Sequence, residues 1–456
     1  MSAIPRLTYM RRRIGFACPF VALSICSLTL FAQNRAGPSG VLAYRHAGEI
    51  WMQRISDSVP LQISQGGGEY PKWSPSGQWL SFRQNGKFIV TPVNGNRREA
   101  RVLEEPGVWS PVRDELALAD QDGLSVIAFD GNDPQKRVVL RAPKCADIQW
   151  SPDGTRLAVL VNAHLWRLNA DGSDPRQLFS ATGHDSLMIR GWSSDGRHII
   201  VSVDPDSSAS LASDGLSLTF VPVDGGHAHI FASNVLLHAD AMSISPDRAE
   251  ALVSGGCCRE AWTNKRVTLV NPASGKFTLL TSARLVTVSP SWSTDGSQIV
   301  FVSAPETEPA AITGTIRDNH GQISPRGANG AIASSSIGGG EAAKQALARR
   351  RIWIMNADGS RARQLTADSS YRDEYPVWTK HGQYILFARI DASDKASIWS
   401  VNLNNGMSAR VVDQIDDDDP SLNAILRSSP NAKPAAAWFG YYGYIDWSRS
   451  IAWHEE

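Results

Sequence analysis

The sequence has few cysteines and no net charge. Its 456 residues include five cysteines, and 45 basic residues balance 45 acidic ones. Cys18 and Cys26 lie in the N-terminal segment, so only three thiols remain for the body of the chain, too few for a disulfide framework. No basic stripe with interleaved aromatic residues follows the first residues, which argues against a nucleic-acid partner. With 42% hydrophobic and 20% charged residues, the composition instead predicts a large packed core.

Motifs of the common hydrolases are also missing. The chain has no G-x-S-x-G nucleophile elbow, no S-x-x-K motif with its partner motifs and no H-E-x-x-H helix. No C-x-x-C or Cys/His spacing typical of zinc occurs. His227 and His229 would share one face of a strand, but no third metal ligand can be assigned. These absences favour a protein that is not an enzyme, and they leave any metal ligands unassigned.

The one long apolar run lies near the N-terminus. Arg11–Arg13 precede the uncharged segment Ile14–Ala32, a pattern typical of an export signal. Residues 1–32 are therefore either a signal peptide cleaved near Ala32 or an uncleaved anchor long enough to span a bilayer. Either outcome places the body of the chain outside the cytoplasm, after a linker at 33–39.

A short phrase recurs along the chain. It reads DIQWSPDGTRLAVL at 147–160 and YPKWSPSGQWLSF at 70–82. Pro152 presets φ for a tight turn, Asp153 bonds to the local backbone, and Gly154 takes the positive φ that closes a hairpin. Alternating aliphatic residues follow this turn, which predicts two antiparallel strands, one on each side of it.

A second turn completes each repeat. The segment AHLWRLNADGSDPRQLF at 163–179 contains a strand, an Asp-Gly turn and a closing strand, and RRIWIMNADGSRARQLT at 350–366 repeats it almost letter for letter. Each unit is therefore predicted to be a four-stranded antiparallel meander. For most of the chain the units begin 36 to 52 residues apart, a spacing typical of propeller blades. The unit starts are marked by Trp73, Trp109, Trp150, Trp192, Ile244 in place of a tryptophan, Trp292 and Trp378.

The two ends of the body supply incomplete units. Gly40–Ser64 reads as the later strands of a unit, and Tyr444–Glu456 reads as the beginning of one. Pairing them would complete one more blade and close the ring without an open sheet edge. We therefore predict an all-β propeller over residues 40–456 with eight blades, or seven if the ends do not pair.

Two stretches interrupt the repeat. The interval from Trp292 to Trp378 is about twice the usual one and holds an insertion at 304–351, which is rich in Gly, Ser and Ala and is predicted to be flexible, with a short helix near its end. A loop excursion at 413–434 carries an aspartate run. That run could bind a divalent cation such as calcium, but it lacks the spaced ligands of an EF-hand loop, so solvated charge is the preferred interpretation.

These motifs resemble the TolB-like β-propeller repeat family. The resemblance extends from about Gly40 to the C-terminus and is most specific at Trp150–Gly154, Asn169–Leu178 and Ile352–Thr366. It implies an exported bacterial propeller, periplasmic or extracellular, that works as a binding or scaffolding surface. TolB itself has a separate α/β domain before its propeller, whereas blades begin here close to the predicted signal, so the chain is not expected to be TolB itself.

Acidic residues recur just ahead of the tryptophan position. Four of them, Glu69, Glu105, Asp240 and Glu374, lie four residues before the tryptophan or its equivalent, and three others lie close by. In chain order the seven are Glu69, Glu105, Asp147, Asp185, Asp240, Asp373 and Glu374. A repeated offset becomes a ring in a propeller, so these side chains are predicted to line a ligand-binding site at the channel mouth. Val288 and Ser289 interrupt the series in the sixth unit.

Two functions are consistent with the sequence. The first is a non-catalytic propeller, expected to be monomeric, that binds a protein, peptide or glycan of the cell envelope without a cofactor. Its only membrane contact would be an uncleaved N-terminal segment. The second is a propeller hydrolase or lactonase that uses a metal at the channel mouth.

Overall fold

The computed structural model describes most of the chain beyond its N-terminal segment: residues 38–55, 59–94, 100–129, 133–183, 185–204, 216–248, 250–255, 265–272, 275–306, 315–317, 323–325, 345–416 and 445–455. The chain divides into two units, Met1–Gly37 and Pro38–Glu456, and every described residue belongs to the second. The predicted export segment at 1–32 lies outside the described residues, as does most of the linker. No helix among the described residues is long and apolar enough to cross a membrane.

Strands make up nearly all of the regular structure. In chain order they are β1 (Val41–His46), β2 (Glu49–Arg54), β3 (Leu61–Gln62), β4 (Glu69–Trp73), β5 (Trp79–Gln84), β6 (Lys87–Pro92), β7 (Arg101–Leu103), β8 (Gly107–Trp109), β9 (Glu115–Asp120), β10 (Gly123–Ala128), β11 (Gln135–Leu140), β12 (Cys145–Trp150), β13 (Arg156–Val161), β14 (His164–Asn169), β15 (Arg176–Ser180), β16 (Ser186–Trp192), β17 (His198–Asp204), β18 (Leu216–Pro222), β19 (His229–Val235), β20 (Met242–Ile244), β21 (Ala251–Gly255), β22 (Arg266–Asn271), β23 (Lys276–Leu279), β24 (Leu285–Trp292), β25 (Gln298–Pro305), β26 (Thr315–Arg317), β27 (Ile323–Pro325), β28 (Arg351–Asn356), β29 (Arg363–Gln364), β30 (Tyr371–Trp378), β31 (Tyr384–Asp391), β32 (Ala396–Asn402), β33 (Ser408–Ile415) and β34 (Ile451–His454). The described helical elements are two 3-10 helices, Ala239–Ala241 and Trp447–Arg449, and one helical turn at 345–347.

The strands form eight four-stranded antiparallel blades. Blade 1 is β4–β7, blade 2 is β8–β11, blade 3 is β12–β15, blade 4 is β16–β19, blade 5 is β20–β23, blade 6 is β24, β25, β28 and β29, blade 7 is β30–β33, and blade 8 is β34, β1, β2 and β3. First strands of neighbouring blades contact each other at five junctions, namely β34 with β4, β8 with β12, β12 with β16, β20 with β24 and β24 with β30, which places the first strands around the central channel. The predicted all-β fold with eight blades is confirmed.

Blade 8 joins the two ends of the body. Its inner strand β34 pairs antiparallel with β1, with Val41 opposite His454 and Tyr44 opposite Ile451. The remaining strands of this blade all come from the N-terminal end. This pairing covers the edge of β1 that would otherwise be open, and β34 also contacts β4 of blade 1.

Apolar side chains fill each junction between blades. Eight buried clusters are described, and each draws its residues from two neighbouring blades, including one between blades 7 and 8 and one between blades 8 and 1. Trp447, which is 1% exposed, anchors the cluster between blades 7 and 8. The core is thus a continuous annulus of side chains between the sheets.

The recurrent Ser-Pro-Asp-Gly phrase builds the turn between the first two strands of a blade. In blade 3 the buried Ser151 hydroxyl accepts a hydrogen bond from the Arg156 amide (2.9 Å) and donates one to Asp153 (2.6 Å). Gly154 takes a φ of 65°, as the turn requires. The same serine-to-aspartate bond recurs in blades 4 and 6 at Ser193–Asp195 and Ser293–Asp295.

The recurrent tryptophan links neighbouring blades. In four blades its indole N–H donates a hydrogen bond to the backbone carbonyl of the residue before the corresponding aromatic position in the preceding blade. These bonds are Trp73 to Ala452 (3.2 Å), Trp150 to Val108 (2.9 Å), Trp192 to Gln149 (3.4 Å) and Trp378 to Ser291 (3.1 Å). Trp109 instead donates to the Ser81 hydroxyl of blade 1 (2.9 Å), and the Trp292 N–H has no hydrogen-bond partner among the described residues. Ile244 holds this position in blade 5 and has no indole N–H to donate.

Replacing Trp150 by Phe should lower the free energy of unfolding by about 1 kcal/mol more than the same change at Trp166. The first change leaves the Val108 carbonyl without its partner, whereas the Trp166 indole N–H is buried without a hydrogen-bond partner among the described residues. Urea unfolding of the two variants isolates the hydrogen bond from the loss of aromatic volume. Equal costs for the two variants would contradict the linking role.

The structure describes where the insertion at 304–351 and the excursion at 413–434 join the ring. The insertion runs from β25 to β28, whose ends pair at Ser303 and Arg351; β26 pairs with β27 within it, and Leu347 in the helical turn is buried. The middle of the insertion, and the excursion beyond Asp416, lie outside the described residues. Asp416 itself accepts hydrogen bonds from the backbone amides of Ala47 and Gly48 (2.9 and 2.7 Å) in the turn between β1 and β2.

Candidate functional site

The inner strands share a β-bulge at one position. The register between first and second strand slips in blades 1, 3, 6 and 7. The bulge contains a residue with φ between 46° and 54°, three positions before the tryptophan: Tyr70, Asp147, Ser289 and Tyr375. A bulge bends the strand and redirects its side chains. The bulge therefore sets the position of three predicted acids. Asp147 is itself the residue with positive φ, and Glu69 and Glu374 directly precede that residue in their blades.

Glu374 of blade 7 is buried between two arginines. Its carboxylate accepts hydrogen bonds from Arg350 (3.0 Å) and Arg372 (2.6 Å), and all three side chains are at most 5% exposed. Burial alone would raise the pKa of Glu374, but the two guanidinium groups overcome it and hold this pKa below its usual value. Arg350 comes from the end of the insertion, so this ion cluster fixes the returning chain to the inner strand.

Two further predicted acids also have arginine partners. Glu69 of blade 1 accepts a hydrogen bond from Nε of Arg449 (2.9 Å), which lies just before β34. Asp373 is fully buried and forms a bidentate pair with Arg389, with distances of 2.7 and 3.3 Å. Their negative charges are compensated within the ring.

Asp240 borders a cavity of about 20 Å³, room for one water molecule, together with His238, Arg350 and Glu374. Its carboxylate accepts a hydrogen bond from the Ser289 hydroxyl (2.5 Å). The pKa of Asp240 is raised to about 6, chiefly by desolvation and in addition by the nearby Glu374 carboxylate, against the lowering effect of the Ser289 hydrogen bond. Desolvation lowers the pKa of His238 to about 4.

Replacing Asp240 by Asn should stabilise the protein at pH 8 relative to wild type by up to about 3 kcal/mol more than at pH 4. The folded pKa of about 6 lies above the ordinary value of 3.8, so the contribution of Asp240 is fully present below pH 3.8 and is lost as the pH rises through 6. His238 contributes equally to both proteins and cancels. Urea midpoints at the two pH values measure the difference, and a pH-independent difference would contradict the assignment.

Glu105 and Asp147 share a larger cavity of about 790 Å³. It is bordered by the inner strands of blades 1, 2 and 3, so it opens on the central channel, and we name it the channel cavity. Its charged lining residues are Lys72, Arg83, Glu105, Asp120, Lys144 and Asp147. Its volume lies within the range of pockets that hold small ligands.

Asp147 is held at the bulge of blade 3 by a neighbouring strand. One of its carboxylate oxygens accepts a hydrogen bond from the Ile189 amide of blade 4. Desolvation raises the pKa of Asp147, while this hydrogen bond and the nearby charge of Arg190 lower it. Asp185, the remaining predicted acid, is half-buried in the loop between β15 and β16. The structure thus pairs Glu105 with Asp147 in one cavity and Asp240 with Glu374 in another, and it separates the other three.

Asp446 is a channel residue that the sequence pattern did not identify. It precedes β34 and accepts a hydrogen bond from Tyr70, whose pKa is raised to about 12 by desolvation first and by Asp446 second. Its charge also raises the pKa of Tyr375 in blade 7 and opposes the desolvation that lowers the pKa of Lys72 in blade 1. A carboxylate that acts on several blades lies close to the channel axis. Asp446 does not lie four residues before a recurrent tryptophan, as four of the predicted acids do. Its only signal in the sequence is its place between aromatic residues in the segment YIDWSR.

The described residues contain no ready-made set of metal ligands. No three His, Cys, Asp or Glu side chains in that part of the chain are grouped as the ligands of one ion. A divalent cation at the channel mouth or the aspartate run stays a prediction.

Comparison with known proteins identifies related repeats. No protein-family model matches the chain. A segment of 76 residues is 37% identical to the Tol-Pal system protein TolB of Rhizorhabdus wittichii and covers 16% of this chain and 17% of that protein. The TolB 1 protein of Novosphingobium aromaticivorans is 35% identical over 77 residues, 17% of each chain. The chain thus spans about a sixth of the length of the curated relatives it matches.

A solved structure shares the fold. Dipeptidyl peptidase 4 of Porphyromonas gingivalis superposes with a TM-score of 0.50 at 10% identity, over 86% of this chain and 61% of that one. At that identity the similarity concerns the fold alone. Together with the aligned repeats, it describes a TolB-like propeller that is not TolB itself.

Proposed function

We propose that this propeller of TolB-like repeats is a non-catalytic binding module of the bacterial cell envelope, and that its ligand occupies the channel cavity. The observation that carries the proposal is the cavity itself. It offers about 790 Å³ bordered by three inner strands, and several of its charged side chains make no hydrogen bond or ion pair within the part of the chain that the structure describes. Side chains that do not stabilise the fold are available for recognition.

The predicted location of the protein agrees with this role. The basic residues Arg11–Arg13 and the apolar segment Ile14–Ala32 form the pattern of an export signal. We expect the propeller to work in the periplasm or outside the cell. Its partner would be a protein, peptide or glycan found there.

Partner capture tests the proposal. The full chain with a C-terminal tag is incubated with envelope extract beside an Ala146→Trp variant, which fills the cavity from an exposed lining position. Ala392→Trp adds the same bulk at an exposed position in the turn between β31 and β32 and is the matched control. We expect a molecule that wild type and the control retain and Ala146→Trp loses. Identical retention by all three would refute the channel cavity as the binding site.

A further inference from the structure

The charges that remain available in the channel cavity are mainly positive. Lys72, Arg83 and Lys144 line it, and all three side chains are exposed. None makes a hydrogen bond or ion pair with another described residue, although the guanidinium of Arg83 lies 5.3 Å from the ring centre of Tyr70. Desolvation by the surrounding protein lowers the pKa of Lys72, and Asp446 opposes this effect. An anionic group that entered the cavity would form charge-assisted hydrogen bonds with these cations.

The acidic lining residues are less available. Asp120 is bound to Lys136 (2.9 Å), and Asp147 uses one oxygen to accept the Ile189 amide. Glu105 is exposed and has no hydrogen-bond partner among the described residues. The cavity therefore offers free carboxylate oxygens as well as free cations. A ligand that binds both the cations and the carboxylates must carry anionic groups and hydrogen-bond donors.

The larger apolar groups in the walls are mostly covered. Tyr70 and Val108 are half-buried, and Pro106 is the exposed exception. Gly107, Ala119 and Ala146 contribute small surfaces, and the larger apolar residues Phe88 and Ile148 are each only 6% exposed because they belong to the junctions between blades. Protein and peptide ligands usually gain most of their affinity from large apolar or aromatic side chains in well-packed pockets. A sugar chain needs no such pocket, since it binds through hydroxyl and carboxylate groups.

A second cavity adjoins the channel cavity. It has a volume of about 420 Å³, lies between blades 1 and 2 and shares Glu105 and Asp120 with the first. Its further lining residues include Lys136. Together the two sets of lining residues extend from the inner strands to the outer strand β7 of blade 1, which suits a chain of several units better than a single small molecule.

We propose that the ligand is a carboxylate-bearing oligosaccharide. In this complex Lys72 and Arg83 bind sugar carboxylates, with Lys144 at the edge of the cavity, while Glu105 and Asp147 accept hydrogen bonds from sugar hydroxyls. This inference rests on the proposed function, because it specifies the ligand of the same cavity.

Titration of the full chain with trigalacturonate tests the ligand class. The comparison probes are its neutral methyl ester and a hexaglutamate peptide, and the variants are Lys72→Gln, Arg83→Gln and the exposed control Lys276→Gln on the outer strand β23. We expect wild type to bind trigalacturonate at least about tenfold more tightly than either comparison probe. Each cavity variant should weaken this binding about tenfold, and the control should stay within about twofold.

Three results would overturn the inference: equal binding of the ester, tighter binding of hexaglutamate, or unchanged binding in both cavity variants. The proposed function is tested separately by Ala146→Trp. If that variant loses an envelope ligand that Lys72→Gln and Arg83→Gln retain, the cavity binds a partner and the ligand class is wrong. If Ala146→Trp loses nothing, the binding site itself is wrong. Thermal unfolding of each variant checks that the exposed substitutions leave the fold intact.

Discussion

A chain that stops after Ser450 should lose at least about 5 kcal/mol of its free energy of unfolding and should aggregate. The truncation removes β34, including the buried Ile451 and the half-buried Trp453, and each large apolar residue lost from such a site costs about 2–5 kcal/mol. It also exposes the edge of β1 and separates blade 8 from blade 1. An open strand edge of this kind pairs readily with other chains.

Size-exclusion chromatography and urea unfolding measure this effect. A chain that stops after His454 is the matched control, because it keeps β34 and loses only Glu455 and Glu456. The control should remain monomeric and within about 1 kcal/mol of wild type. A monomeric Ser450 truncation with an unchanged urea midpoint would show that the ring does not depend on pairing of its two ends.

Replacing Asp373 by Ala should lower the free energy of unfolding by about 3–5 kcal/mol. Asp373 and Arg389 are buried, at 0% and 3% exposure, and their hydrogen bonds are 2.7 and 3.3 Å long. The variant would leave the Arg389 guanidinium uncompensated. The rings of Tyr371 and Trp399, with centres 4.7 and 4.5 Å from the guanidinium carbon, compensate only part of that charge.

The double variant Asp373→Leu with Arg389→Met should recover most of the lost stability, because two apolar groups of similar volume leave no buried charge. Glu104→Gln is the exposed comparison, since Glu104 pairs with Lys87 at the surface and such pairs contribute at most about 1 kcal/mol. Urea midpoints of the three variants separate the cost of an uncompensated charge from the loss of an attraction. A cost at Asp373 no larger than that at Glu104 would contradict the prediction.

Much of the fold could be predicted because the repeat is encoded locally. Each Ser-Pro-Asp-Gly phrase makes its turn from its own side chains, as Ser151 and Asp153 do. The eroded turn in blade 2 works in a similar way, since the Ser110 hydroxyl still accepts a hydrogen bond from the Arg113 amide (3.3 Å). The eighth blade could be predicted because each of the two incomplete end units carries its own strand pattern.

The partners of the predicted acids could not be read from the sequence. Glu69 and its partner Arg449 are 380 positions apart, and Arg350 belongs to an insertion that has no place in the repeat. The repeated offset therefore identified positions around the channel but not the charge that surrounds them. Arg372 was the nearest available signal, two residues before Glu374 in the phrase YRDEY. The sequence gives no signal for cations such as Lys72, one residue before Trp73, because they do not recur from unit to unit.

Ile244 affects how blades 4 and 5 unfold locally. Blade 5 lacks the indole donor, and the main chain supplies a substitute: Val235 of blade 4 pairs with Gly255 of blade 5, and the Leu236 amide donates a hydrogen bond to the Ser254 carbonyl (3.0 Å). These bonds make blades 4 and 5 one continuous sheet. Amide hydrogens in the two blades should therefore exchange with solvent as a single cooperative unit, while the other blades exchange one at a time.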